Sequence, residues 1–140
     1  MNEERANSMD LDTSKRILIA EDNPNLRKVI VAIVKKIGYQ HVMEAEDGEI
    51  AWQFITRGGV DLVLTDWAMP GLDGVQLLRK VRKSNAPTRD IPFLMITAAD
   101  TKNAIVEAGK EGVDAYIIKP FSVTTISEKI KEALEKRAEA

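Results

Sequence analysis

The 140-residue sequence contains no cysteine and only one histidine, His41. Without cysteine there is no disulfide, no thiol nucleophile and no thiolate metal site, and a single histidine excludes the zinc motifs that need several. Any metal that the side chains of this sequence hold must therefore be bound by oxygen ligands.

Long apolar runs and blocks of like charge are also missing. No run approaches the roughly 18 residues of a membrane helix, and the first ten residues lack a signal-peptide core, so we expect a cytoplasmic protein that does not enter a membrane. The 20 basic and 22 acidic residues nearly balance, with no basic tract, which argues against direct nucleic-acid binding. The 44% hydrophobic content is ordinary for a globular protein.

Residues 1–14 are polar and aperiodic, which predicts a disordered N-terminal tail. The remainder, 15–140, fits one domain. It alternates short apolar runs with segments of helical periodicity five times, and this alternation predicts an α/β domain with a five-stranded parallel sheet and five helices on both faces. The predicted strands cover residues 17–20, 41–45, 61–65, 91–97 and 115–118.

Capping residues, prolines and glycines mark the predicted helix ends. Asn23-Pro24 begins the first helix, which runs to Ile37 before Gly38. The third is expected to end at about Ser84, and the fourth, from about Thr101 to Lys110, has the least decisive periodicity. The strand at 41–45 is the most polar, as expected of a sheet edge.

Polar residues close four of the five apolar runs. Glu21 and Asp22 follow the first, Asp66 follows the third, Thr97 ends the fourth and Lys119 follows the fifth. Singly each has an ordinary explanation, such as an acidic pair complementing a helix dipole. Sites in open α/β sheets, however, lie outside the carboxyl ends of the strands. The five residues together therefore predict one site.

Three carboxylates in one crevice require protons or cations. Lys119 supplies one positive charge, and an all-oxygen site favours Mg²⁺ or Mn²⁺ over zinc. With both in place, one carboxylate can act as a nucleophile toward phosphorus and form an aspartyl phosphate. The hydroxyl of Thr97 can donate a hydrogen bond to the product phosphoryl group.

Four motifs are specific enough to compare with a known family: Glu21-Asp22, Asp66-Trp67-Ala68-Met69-Pro70 with Asp73-Gly74, Thr97-Ala98, and Tyr116-Ile117-Ile118-Lys119-Pro120-Phe121. They closely resemble the receiver domains of two-component response regulators, and within that family the single-domain chemotaxis regulators. The resemblance covers roughly Lys15 to the end. It implies a flavodoxin-like fold with strand order 2-1-3-4-5 and a phosphorelay protein that catalyses only its own phosphorylation and dephosphorylation.

Position by position, the resemblance implies that Asp66 accepts a phosphoryl group from a phosphohistidine on a histidine kinase or phosphotransfer protein. Asp22, Asp66 and the backbone carbonyl of Ala68 would bind Mg²⁺ directly, and Glu21 would act through water. Lys119 would pair with Asp66 and then with a phosphoryl oxygen.

The resemblance also implies a switch. Thr97 would move toward the phosphoryl group and Tyr116 would swing inward behind it, repacking the surface of helix four, strand five and helix five for a downstream protein target. The candidate contacts are Lys102, Ile105, Tyr116 and Lys129. A cis bond at Lys119-Pro120 is expected, as is a monomer before phosphorylation.

The sequence departs from the family pattern in two respects. Glu21 stands where aspartate is more frequent, which adds a methylene to an outer ligand. Ala68 and Ala99, two residues after Asp66 and Thr97, stand where the chemotaxis regulators carry larger polar side chains. The open route could speed exchange with small donors, or the loss of a water-orienting residue could slow hydrolysis.

Three alternatives to this interpretation are also considered. An aspartyl-phosphate phosphatase usually needs a second aspartate two residues after the nucleophile, where this sequence has Ala68. A flavin-binding protein would have to hold a phosphate beside three carboxylates. A receiver cut from a longer transcriptional regulator would continue past the last helix, whose end shows no linker, and this favours a stand-alone protein.

Overall fold

A computed structural model describes residues 12–98, 106 and 109–139. Within them the strands are β1 (Arg16–Ala20), β2 (His41–Ala45), β3 (Leu62–Asp66), β4 (Phe93–Thr97) and β5 (Ala115–Ile118). The helices are α1 (Pro24–Ile37), α2 (Gly48–Arg57), α3 (Gly74–Arg82) and the C-terminal helix (Val123–Glu139), and a 3-10 turn covers Thr88–Asp90.

The predicted N-terminal tail and fourth helix fall mostly outside the described residues. Of the tail, residues 12–14 are described, and the Asp12 side chain accepts a hydrogen bond from the Ser14 backbone. Of the fourth helix, Val106, Gly109 and Lys110 are described and are helical. Among the described helices, none is long and apolar enough to cross a bilayer.

All strand pairs are parallel, in the order β2-β1-β3-β4-β5, as the sequence predicted. The chain starts in β1, moves outward to β2, and returns to place β3 on the other side of β1. The strand order therefore reverses between β1 and β3, and a crevice opens outside their carboxyl ends. The polar β2 lies at an edge, as predicted.

Two apolar cores cover the two faces of the sheet because successive strand residues point to opposite sides. Leu18, Val63 and Phe93 pack in the core that includes α2 and α3, and Ile19 and Leu64 pack in the core that includes α1 and the C-terminal helix. All five residues of the central strand β3 are buried. This burial holds Asp66 at the end of a rigid strand.

Local chemistry accounts for most element ends. Asn23 accepts hydrogen bonds from the second and third residues of α1, and Gly38 has a φ of 132° after its end, so the predicted range is confirmed. β4 begins at Phe93, two residues later than predicted, because Pro92 has no N–H to donate to the sheet. The predicted cis bond at Lys119-Pro120 is present, and a second occurs at Ala86-Pro87.

Candidate functional site

The carboxyl edge of the sheet brings the predicted site residues together. Asp66 is the last residue of β3 and is aligned with Ile96 of β4, and Thr97 is aligned with Ile118 of β5. Glu21, Asp66 and Thr97 are buried, whereas Asp22 is exposed at the mouth of the crevice. The strand ends thus deliver three buried polar groups and one accessible carboxylate.

Asp66 is paired with Lys119. The Nζ atom lies 3.0 Å from Oδ2 of Asp66, and the two side chains are 26% and 10% exposed respectively. The lysine backbone N–H donates to the Thr97 carbonyl at 2.9 Å, which anchors the lysine to the end of β4. The other oxygen of Asp66, Oδ1, lies 3.4 Å from the Ala68 N–H. Asp66 therefore keeps one weakly engaged oxygen beside a single counter-charge.

The buried carboxyl group of Glu21 has incomplete hydrogen bonding. Its Oε2 accepts the Asn23 N–H at 3.0 Å, but Oε1 is buried without a partner among the described residues. Burial, reinforced by the carboxyl groups of Asp66 and Asp22, raises the pKa of Glu21 to about 8. An orphaned oxygen among three carboxyl groups is a position that a cation or its bound water would satisfy.

A cleft of about 430 Å³ opens beside these carboxylates. It is lined by Asp22, Trp67, Ala68, Met69, Pro70 and Asp73. Within the described residues no three His, Cys, Asp or Glu side chains form a ready metal cage. Mg²⁺ does not need one, since it keeps several waters and binds through one or two carboxylates. The donors present fit a hard, partly hydrated cation.

Of the predicted switch and partner residues other than Thr97, the structure describes Tyr116 and Lys129. Tyr116 of β5 is partly buried and packs against the core that includes α2 and α3. Lys129 lies on the C-terminal helix with Nζ 3.2 Å from Glu132. Lys102, Ile105 and Ala99 lie outside the described residues.

Two residues contact the backbone of the site in ways that the sequence does not indicate. Arg27 of α1 donates from Nη1 to the Glu21 carbonyl at 2.8 Å, and no pattern separates it from the other basic residues of that helix. Gly74 begins α3 against the backbone of Asp66. A capping residue before a glycine marks a helix start, but it does not reveal that close approach.

Replacing Gly74 with alanine is expected to lower the free energy of unfolding by about 1–3 kcal/mol, as overpacking does. The new Cβ would lie 2.6 Å from the Asp66 carbonyl oxygen and 3.1 Å from the Trp67 Cα, so α3 or the end of β3 must shift. Urea unfolding measures the loss. The control is Gly109→Ala, whose Cβ meets nothing within 4 Å and which should be neutral or stabilising. Equal stability of both variants would contradict the close approach.

The crevice at the point of strand reversal holds an acidic pair, a buried aspartate and one lysine. The model of the response regulator receiver domain family matches residues 17–131. The chain therefore belongs to the response regulator receiver family. Proteins of this family are signalling proteins that interact with histidine kinases and downstream targets rather than enzymes in the usual sense.

Its relatives include chemotaxis regulators. The chain is 36% identical over 126 residues to chemotaxis protein CheY-3 of Vibrio cholerae, covering 90% of this chain and 96% of that protein. It is 36% identical over 121 residues to chemotaxis protein CheY of Pseudomonas aeruginosa, covering 86% and 97% respectively. The chain is thus a CheY-like receiver.

One similar solved structure contains a bound metal ion. The receiver domain of a sensor histidine kinase from Pseudomonas aeruginosa PAO1 matches with a TM-score of 0.78 and 28% identity, covering 87% of this chain and 98% of that one. That structure has a magnesium ion coordinated in its active-site cleft. The family thus includes magnesium-binding members, in agreement with the oxygen donors found here.

Proposed function

We propose that residues 15–140 act as a phosphorylation switch in which Asp66 accepts a phosphoryl group from a histidine kinase or phosphotransfer protein. The observation that carries this proposal is the placement of Asp66 at the strand reversal, bonded to Lys119 and adjacent to the buried, partly unsatisfied Glu21. A carboxylate held in this way is an aligned nucleophile, and an added cation would satisfy its acidic surroundings.

The remaining residues position charge around the reacting atoms. Asp22, Asp66 and the Ala68 carbonyl would hold Mg²⁺, with Glu21 acting through water, and Mn²⁺ would satisfy the same donors. When bound, the metal would supply positive charge to the phosphoryl oxygens. Lys119, which already pairs with Asp66, adds a second positive charge. An Asp66 oxygen bonds to phosphorus as the bond from phosphorus to the donor's leaving atom breaks.

Residues of β4 and β5 would pass the phosphorylation signal to a downstream partner. The Thr97 hydroxyl donates a hydrogen bond to the new phosphoryl group, and Tyr116 closes into the space behind it, which repacks the surface for a downstream partner. The candidate partner contacts remain Lys102, Ile105, Tyr116 and Lys129. Ile118, at the end of β5, and Val123, at the start of the C-terminal helix, are exposed hydrophobic side chains that suit docking of a downstream protein. The chemotaxis relatives support a role in chemotaxis or similar signalling. In this proposal the unphosphorylated form is a monomer.

Incubation with Mg²⁺ and a small acyl phosphate is expected to add one phosphoryl group to the wild-type chain and none to Asp66→Asn. The amide of asparagine has no anionic oxygen to attack phosphorus. Intact mass spectrometry measures the adduct, and its lability in acid or hydroxylamine identifies an acyl phosphate. The matched control is Asp61→Asn, which changes a carboxylate near the opposite end of β3 that bonds to the Arg16 N–H.

The proposal fails if the wild-type chain takes no adduct or if Asp66→Asn still takes one. Repeated turnover of a phosphomonoester by the wild-type chain would instead indicate the phosphatase alternative. Ala68 argues against that outcome, since methyl hydrogens cannot supply a proton to a leaving group.

A further inference from the structure

Arg27 joins α1 to the loop that carries the acidic pair. Its Nη1 donates to the Glu21 carbonyl at 2.8 Å, and its Nε donates to Oε1 of Glu44 on the edge strand β2 at 3.1 Å. The Arg27 side chain is 17% exposed and that of Glu44 is 48% exposed. One planar guanidinium thus bridges the end of β1 and the neighbouring strand.

The Glu21 carbonyl lies at the point where regular strand pairing stops. The register of β1 with β2 ends at Ala20, and the Glu21 N–H still donates to the Ala45 carbonyl at 3.0 Å. The Glu21 carbonyl and the Asp22 N–H belong to one rigid peptide plane. The bond from Arg27 therefore fixes the orientation of the peptide that leads into Asp22.

We infer that Arg27 is a positioning residue that holds the Glu21–Asp22 peptide in the orientation needed for Mg²⁺ binding, an inference that rests on the proposed function. Its hydrogen bonds go to the Glu21 carbonyl and the Glu44 carboxylate rather than to the side chains of Asp66 or Asp22. It acts by limiting the backbone rotation that would swing the Asp22 carboxylate out of the cleft and would move the Glu21 carboxyl from its place beside Asp66.

A role of Arg27 through its charge and a role through its position predict opposite changes in Mg²⁺ affinity when Arg27 is replaced. A positive charge near a cation site repels the cation, so removing it would tighten Mg²⁺ binding if charge alone mattered. Loss of a residue that orients metal ligands weakens binding, typically by about 10-fold to 100-fold. The direction of the change in Mg²⁺ affinity therefore separates the two roles.

A Glu44 variant distinguishes the bond of Arg27 to the Glu21 carbonyl from its ion pair with Glu44. Because its carboxylate is half-exposed, its pair with Arg27 is screened by solvent and adds little by itself. Glu44→Gln keeps the guanidinium and an oxygen acceptor for Nε while removing one negative charge. If Arg27 acts through the Glu21 carbonyl, this variant should bind Mg²⁺ nearly as the wild type does.

Isothermal titration with MgCl₂ tests the inference on the intact chain. Arg27→Met is expected to raise the dissociation constant about 10-fold, the lower end of the range for residues that orient metal ligands. Arg27→Lys, which keeps the charge but lacks a fork that can bridge two acceptors, should raise it by about threefold. Glu44→Gln and the control Arg89→Met, which removes an exposed arginine paired with Asp90, should stay within about twofold.

Urea unfolding without Mg²⁺ identifies the variants that are folded. If Arg27→Met does not fold, Arg27→Lys decides the question. Unchanged or tighter Mg²⁺ binding by the folded Arg27 variants overturns the inference while leaving the proposed function standing. A wild-type chain that binds no Mg²⁺ contradicts the proposed function together with the inference.

Discussion

Replacing Lys119 with methionine is expected to slow phosphorylation of Asp66 by a small acyl phosphate about 100-fold, the loss typical for one preorganised charge donor. The lysine Nζ lies 3.0 Å from the Asp66 carboxylate, where it can follow the negative charge onto the phosphoryl oxygens. Binding of Mg²⁺ should stay intact or become tighter, because Asp66 loses the cation that competes for its charge. Initial rates of adduct formation and calorimetric Mg²⁺ titration measure the two effects.

Because phosphorylation should slow while Mg²⁺ binding is kept or becomes tighter, this result would be specific to the loss of Lys119. A variant that was merely misfolded would lose Mg²⁺ binding and phosphorylation together. Lys80→Met is the matched control, since its ammonium lies 5.1 Å from the Trp52 ring centre on the surface of α2 and α3 and should affect neither measurement. Phosphorylation of Lys119→Met at nearly the wild-type rate would show that the salt bridge has no part in the chemistry.

The placement of the candidate site residues was largely predictable because it follows from local patterns. A buried strand shows as a short apolar run, and the residue at its end can be read directly, as with Asp66 and Thr97. Parallel topology then places those ends on one edge, without any knowledge of side-chain contacts. The structure adds the burial of Glu21 and its unpartnered oxygen, which depend on distances that no sequence pattern contains.

The residues that sequence reasoning missed act on partners outside their own helix. Arg82, at the end of α3, looks like its basic neighbours, yet its guanidinium bonds to Asp114, 32 residues later, at 2.7 Å. Arg137 reaches the same carboxylate from the C-terminal helix, also at 2.7 Å. Periodicity reports which face of a helix is buried, but it does not identify a partner on another element. The same limit explains why Arg27 was missed.

Asp114→Ala is expected to lower the free energy of unfolding by about 3–5 kcal/mol, the cost of removing one partner from a buried ion pair. The Asp114 side chain is fully buried, and it also accepts the Phe93 N–H at 2.8 Å. Burial lowers the pKa of Arg82 to about 10, so the guanidinium stays charged at neutral pH. Without Asp114, Arg82 and Arg137 face each other as like charges and the first N–H of β4 loses its acceptor. Urea unfolding with an unchanged slope measures the loss.

Two comparisons separate this ion-pair network from a general effect of losing an aspartate. Asp90→Asn, in the exposed pair with Arg89, should leave the unfolding midpoint unchanged, because solvent replaces that partner. Arg137→Met combined with Asp114→Ala should cost less than the sum of the single changes, since it removes one of the two like charges that the first change exposes. Additive losses would mean that Arg82 and Arg137 do not interact with each other when Asp114 is absent.

A loss below about 1 kcal/mol for Asp114→Ala would mean that the carboxylate gains too little from its three partners to offset its own burial.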